Sequence, residues 1–332
     1  MSTFLNTLLD FAVDQLGSPA TITRILRNSN PVTALPIPSP VVDMEAGVIH
    51  WQRWCESHYD GYGHGVIHGY NHEHGLRDGG GLHLPSLENI VTQTVMPHFT
   101  CDITEVDGIG AAKGFPERFT DLDAWIENES PEMINPITAE TLLRDLAHRE
   151  IRIFDPNGGD CFIRHEWDGR LFLSNAGGAH HFAAARYLAR RLGHKVPLEG
   201  KLYSYAFNES SIEELRKGFV MFAIPYDALF GTGLQDAMQS FHASYYWRAM
   251  PREYPGIMVI FLPRSCKRSM RVAQVMRGLG MLNFGAYLQD LHQEARRKEL
   301  MATRGAPDVS ASPSRSADTS LSNTATKIGF ES

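Results

Sequence analysis

The chain has four cysteines in 332 residues, Cys55, Cys101, Cys161 and Cys266, and none forms a CxxC pair. That spacing excludes a thiolate zinc site or a disulfide framework, and the thiols read as those of a protein from a reducing compartment. No apolar run approaches the ~20 residues of a membrane span. Positive charge is not in excess: 31 Lys and Arg against 38 Asp and Glu give a formal net charge of −7. That balance argues against a protein wrapped in nucleic acid and leaves room only for a local basic face. There is no internal repeat and no HExxH. The N-terminus shows no export signal: Phe4, Leu5, Leu8, Leu9, Ala12, Val13 and Leu16 recur at helical spacing, no basic residue precedes them, and Asp10 and Asp14 interrupt the run. The expectation is a cytoplasmic protein without membrane contact, opening on an amphipathic helix.

What is present sorts along the chain. Pro31 to Pro40 is proline-punctuated and cannot be helical. Residues 50–83 are rich in glycine and histidine with little periodicity and read as a long loop. Residues 98–129 alternate short apolar runs with turn signals. Thr138 caps a helix carrying Leu142, Leu143 and Leu146. Strands are predicted at Ile151–Phe154, Cys161–Ile163 and Arg170–Leu173, with Asp168-Gly169 as a hairpin turn. A helix then runs from Ala179 to Leu192, closed by Gly193. Further strands are predicted at Lys201–Phe207, Gly218–Ile224 and Gly256–Leu262, and the capping-box spacing of Ser210 and Glu213 starts a helix between the first two. The fold class expected is α+β: a small mixed sheet with packed helices over 131–300, an N-terminal region over 1–130, and a tail over 301–332. That tail is dominated by Ser, Ala, Thr, Asp and Pro, which cannot bury enough surface to offset the entropy of ordering.

One segment carries chemistry. After the strand at Leu171–Leu173 the chain reaches Asn175-Ala176-Gly177-Gly178 and enters the helix through Ala179-His180-His181. Paired glycines let backbone approach a ligand closely, and the helix start leaves N–H groups unpaired at a positive dipole end. His180 and His181 stand at that opening, able to hydrogen-bond phosphate oxygens or move protons, and Arg186 lies two turns along. From spacing alone, ligand binding and a purely structural strand–turn–helix are equally served.

The run Gly177-Gly178-Ala179-His180-His181-Phe182-Ala183-Ala184 resembles the sulfiredoxin signature Gly-Gly-Cys-His-Arg-aromatic-Ala-Ala. It is similar as well to the Gly-Glu-Arg-Arg-x-Arg-Ala-Ala box of ParB-type proteins. The resemblance covers about a quarter of the chain, roughly residues 140–230. It implies a ParB/sulfiredoxin-like core in which Gly177, Gly178, Ala179 and Arg186 hold nucleotide phosphates, from ATP or CTP, with His180 and His181 as candidate catalytic groups. Two departures stand out. Ala179 replaces the reactive cysteine, so sulfinic acid reduction through a thiol is excluded. His181 replaces an arginine, and imidazole offers at most one charge and no bidentate fork.

Two other features compete. His58, His64, His68, His72 and His74 interleave with glycines, and His64, His68, His72 and His74 are candidate ligands for a divalent metal. The spacing matches no standard motif, and a polar or lid-like loop is the alternative. Arg264, Lys267, Arg268, Arg271 and Arg277 form a basic run without acidic residues, a candidate nucleic-acid contact or simply a solvated face. The expected function is binding of a nucleotide or other phosphorylated ligand at the glycine turn, with nucleoside-triphosphate hydrolysis open. The alternatives are a non-catalytic DNA-binding or interaction factor on a ParB-like scaffold, and a metal-dependent hydrolase centred on the histidine loop.

Overall fold

Strict alternation in Phe219–Pro225 and Ile257–Pro263 sends successive side chains to opposite faces. Val220, Phe222 and Ile224 join one core with Met258, Ile260 and Leu262, while Met221 joins a second with Val259 and Phe261. Those two strands are therefore covered on both sides. The computed structural model describes residues 13–54, 56, 63–73, 81–155 and 158–305. The element order is α1 (Ala20–Asn28), α2 (Met44–Gly47), β1 (Val66–Tyr70), β2 (Leu82–His83), α3 (Pro85–Glu88), β3 (Val91–Asp102), β4 (Gly108–Ile109), α4 (Leu122–Glu129) and α5 (Ala139–Leu146). It continues with β5 (Cys161–His165), β6 (Leu171–Ser174), α6 (Ala179–Leu192), β7 (Pro197–Phe207), α7 (Glu209–Gly218) and β8 (Phe219–Pro225). The last elements are α8 (Tyr226–Phe230), α9 (Leu234–Ser240), β9 (Tyr245–Ala249), β10 (Ile257–Pro263), α10 (Lys267–Gly278) and α11 (Phe284–Gly305).

The chain is α+β, as expected, but with two five-stranded sheets. One has the order β2-β1-β9-β10-β8, antiparallel throughout; the other has β3-β7-β5-β6-β4, with β7 parallel to β5 and β4 parallel to β6. The division expected at residue 130 runs through both sheets, since β1 to β4 precede it and β5 to β10 follow. The second sheet carries α6 on one face, where Phe182, Ala183 and Leu188 meet Phe162, Leu173, Leu198 and Leu202. Its other side meets the segment of residues 41–54: Met44 and Val48 pack on Phe172, and Trp51 on Phe207. That segment lies between the sheets.

Several local expectations change. Ile151–Phe154 is not a strand: Arg152–Phe154 forms a 3-10 turn, with Arg152 N–H donating to Asp160. Period-2 alternation over four residues is too short to prevail over that local contact. Residues 50–83 are not one loop, since a 3-10 turn at Trp51–Arg53 and strands β1 and β2 lie within them. Helix α7 begins at Glu209 with Asn208 as its cap, accepting from Ser211 N–H, one residue pair earlier than the Ser210 spacing predicts. Thr138 caps α5 as predicted, and Gly193 closes α6 in the left-handed conformation. α11 extends to Gly305, past the expected start of the tail. The rest of that tail lies outside the described residues, as do residues 4–12 of the helix predicted over 4–16, whose residues 13–15 are helical. Among the described residues no helix is long and apolar enough to cross a membrane.

Candidate functional site

The strand–turn–helix predicted from sequence forms as read. β6 delivers the chain to Asn175, whose amide donates to the carbonyls of Ala111 and Gly177 and so ties the turn to the loop after β4. Gly178 is buried at φ +68°, ψ 13° and serves as N-cap of α6 without a side-chain cap. The two glycines are not equivalent. A Cβ on Gly178 would stand 2.8 Å from the backbone carbonyl of Glu150, whereas one on Gly177 would meet only the Glu150 side chain, at 3.4–3.6 Å. Gly178→Ala is therefore expected to cost roughly 2 kcal/mol or more, from left-handed strain plus backbone contact, and Gly177→Ala to be close to neutral. Urea unfolding of the two variants checks this; equal costs would contradict the geometry.

A cavity of about 640 Å³ opens over this helix end. Its walls bring Gly177, Gly178, His180 and His181 together with Lys113 from the loop after β4 and His148 from the turn after α5. His181 and His148 stack face to face, with centroids 3.6 Å apart and planes at 14°. Behind His181 lies Asp145, fully buried, whose Oδ1 is 3.2 Å from His181 Nδ1; the guanidinium of Arg144 contacts the same carboxylate. A carboxylate at Nδ1 fixes the proton there and turns the Nε2 lone pair outward, the arrangement of an imidazole positioned to take a proton. His180 lies against the Trp125 ring at 4.6 Å, and burial holds its pKa below the ordinary histidine value. One of the helix-end amides is occupied: Gly178 N–H donates to Glu150 Oε2 at 3.2 Å. The open donors are thus those of the first helical turn, Ala179, His180 and His181.

Sequence reading missed Lys113, Asp145, His148 and Glu150, which reach the site from 28 to 65 residues upstream. Asp145 lies in the last turn of α5 and His148 two residues past its end, a signal legible only once α5 is known to pack against α6. Arg186, expected near the ligand, is elsewhere. It is buried, donating to Asp123 Oδ1 at 2.6 Å and to the Val106 carbonyl at 2.8 Å, because two helical turns carry it away from the glycines.

The histidines at 64, 68 and 72 do not converge. His64 Nδ1 meets Glu88 Oε1 at 3.0 Å, and the other oxygen of Glu88 meets His83. His68, on β1, lies beside Trp247, and His72 beside His242. His74 lies outside the described residues. Among the described residues no group of three or more His, Cys, Asp or Glu is placed to hold a metal ion. In the basic run, Arg264 donates to the Arg216 carbonyl at 2.7 Å, Arg268 to that of Phe241 at 3.1 Å, and Arg271 to that of Gly17. Arg268 and Arg271 fasten α10 to its surroundings and Arg264 ties the turn before it to α7, so no observation favours the nucleic-acid reading.

A family model described as a family of unknown function, DUF6685, matches residues 96–300. No curated protein and no solved structure matches the chain. These results supply no link to the ParB/sulfiredoxin superfamily.

Proposed function

The chain belongs to the DUF6685 family, a family of unknown function, and from its own geometry we propose that it binds a phosphorylated small molecule, a nucleotide by the resemblance of its glycine turn, in the cavity at the start of α6. The observation that carries this reading is the convergence of Lys113 and His148, distant in sequence, on the opening that already holds Gly177, Gly178, His180 and His181. An ammonium group, imidazole donors and the amides of a helix start are complementary to phosphate oxygens. The cavity volume lies within the range of small-molecule sites. Glu150 sits where an anion would sit; its carboxylate swings aside or is displaced when phosphate takes the helix end. If the ligand is cleaved, His181, backed by buried Asp145, is the group positioned to accept a proton, in preference to His180.

The test is a thermal-shift panel with ATP, CTP, GTP and pyrophosphate, each with and without Mg²⁺. A ligand held at a hundredfold excess over its Kd stabilises by about 2.7 kcal/mol, a rise of roughly 5 °C. Lys113→Ala combined with His148→Ala should abolish the rise, and the paired change Asp123→Leu/Arg186→Met, away from the cavity, should not. Absence of a rise with every phosphate ligand defeats the proposal.

A further inference from the structure

A cavity of about 390 Å³ opens where the proline-punctuated segment after α1, the turn between β5 and β6, and α11 meet. Leu35 and Ile37 come from the first, Trp167 and Asp168 from the second, and Tyr287, Asp290, Leu291, Glu294 and Lys298 from the third. Their spacing on α11 is i, i+3, i+4, i+7 and i+11, so one helix face supplies all five. The core cluster that contains Trp51, Tyr254 and Phe284 reaches the surface here: Leu35, Trp167, Tyr287 and Leu291 pack against it and stay only half-buried. Ile37, 93% exposed, carries the apolar wall out into solvent. Two of the rings are held from behind. Trp167 Nε1–H donates to the Ile49 carbonyl at 2.9 Å, and the Tyr287 hydroxyl meets that of Tyr254 at 3.1 Å. A ligand entering here finds fixed aromatic surface and does not have to order it.

The charges at the rim decide the ligand class. Asp168 is neutralised by Arg170, whose Nε and Nη2 donate to its two oxygens at 2.7 and 2.8 Å. Lys298, the only Lys or Arg in the lining, leans on that same turn, its ammonium 3.5 Å from the Asp168 carbonyl. Asp290 and Glu294 are exposed and have no hydrogen-bond or ion-pair partner among the described residues. Glu294 lies close enough to the Tyr287 hydroxyl to act on it: the phenol pKa is raised, by burial first and by that carboxylate in addition. Two uncompensated carboxylates beside half-buried aromatic rings attract an ammonium group, through their charge and through the negative faces of the rings, and repel an anion. We propose that this cavity binds a small organic cation, an amine or quaternary ammonium with an aromatic or branched aliphatic body. The body fills the apolar wall between Leu35 and Leu291, and the ammonium sits beside Tyr287, Asp290 and Glu294. The site shares no lining residue with the phosphate site at α6.

Saturation-transfer NMR on the full chain with phenethylamine, 2-phenylethanol and 3-phenylpropionate tests this. The three share one ring and, at neutral pH, are a cation, a neutral molecule and an anion. Phenethylamine should bind in the low-millimolar range or tighter. The alcohol should bind about fivefold more weakly, the size of a cation–π and ion-pair contribution at a partly exposed site, and the carboxylate should not bind. The double variant Asp290→Asn/Glu294→Gln, at two exposed positions that hold nothing in the fold, should lose that fivefold for the amine and leave the alcohol unchanged. Added salt should weaken the amine alone. The proposal is overturned if phenethylamine does not bind at low-millimolar concentration, if the alcohol or the carboxylate binds as tightly as the amine, or if the double variant keeps the preference for the amine. Pyrophosphate stabilisation should be the same in parent and double variant, so the two sites succeed or fail separately.

Discussion

Asp123→Ala is expected to destabilise the protein by about 3–5 kcal/mol, the cost of leaving a buried charge without its counter-ion. Asp123 and Arg186 are each 8% exposed. Asp123 Oδ1 accepts from Arg186 at 2.6 Å, and its Oδ2 takes a longer contact from the largely exposed Arg190 at 3.2 Å. Removing the carboxylate leaves the Arg186 guanidinium with only carbonyl partners, those of Val106 at 2.8 Å and Thr104 at 3.4 Å. Domain stabilities are only about 5–15 kcal/mol, so the variant should lose a large fraction of its folding free energy. The double variant Asp123→Leu/Arg186→Met should recover most of the loss, because burying two apolar groups avoids desolvating either ion. Urea unfolding of the single and double variants decides it; a single-variant cost below about 1 kcal/mol would place the pair with surface ion pairs.

Arg186 also marks the limit of what the sequence disclosed. The strand, the two glycines and the helix with its Gly193 terminus were legible because local backbone rules dictate them: positive φ at Gly178 and Gly193, and apolar residues on the buried face of α6. Which charged residue on α6 faces the ligand was not legible. That depends on how α4, α5 and the 3-10 turn at Ile103–Glu105 pack around the helix, and those elements place Asp123 under Arg186 and Asp145 under His181. The pairing of the sheets escaped for the same reason. β1 reads as part of a glycine-rich loop until Tyr245 and Trp247, about 175 residues later, supply its hydrogen-bonding partner. His50, Gln52 and His165 carry no motif, and only the segment inserted between the sheets brings them together.

That insertion has a consequence for acid tolerance. His165 is 1% exposed, and burial followed by the nearby His50 and Arg53 charges depresses its pKa to about 3, against 6.5 for an unhindered imidazole. Between those values the unfolded chain binds a proton that the folded chain refuses, so stability falls as pH drops below about 6.5 and the loss is complete near 3. At 1.36 kcal/mol per pH unit, His165 alone should remove roughly 2 kcal/mol between pH 6.5 and 5, and His50, shifted the same way, adds to it. Glu45 enters at lower pH. The Arg53 hydrogen bonds hold its carboxyl at about 2, so its contribution is present above pH 4.5 and fades as pH falls towards 2. A steep decline that starts near 6.5 is therefore the imidazole signature, and one that starts near 4.5 is the carboxylate signature. His165→Phe, which keeps an aromatic ring beside Tyr205, should make the profile between pH 6.5 and 5 shallower, leaving the His50 share there and the decline below 4.5. Urea midpoints at pH 8, 6.5, 5 and 4 for parent and variant separate the two, and a parent profile flat from 8 to 5 would mean that His165 is solvated and protonates without cost.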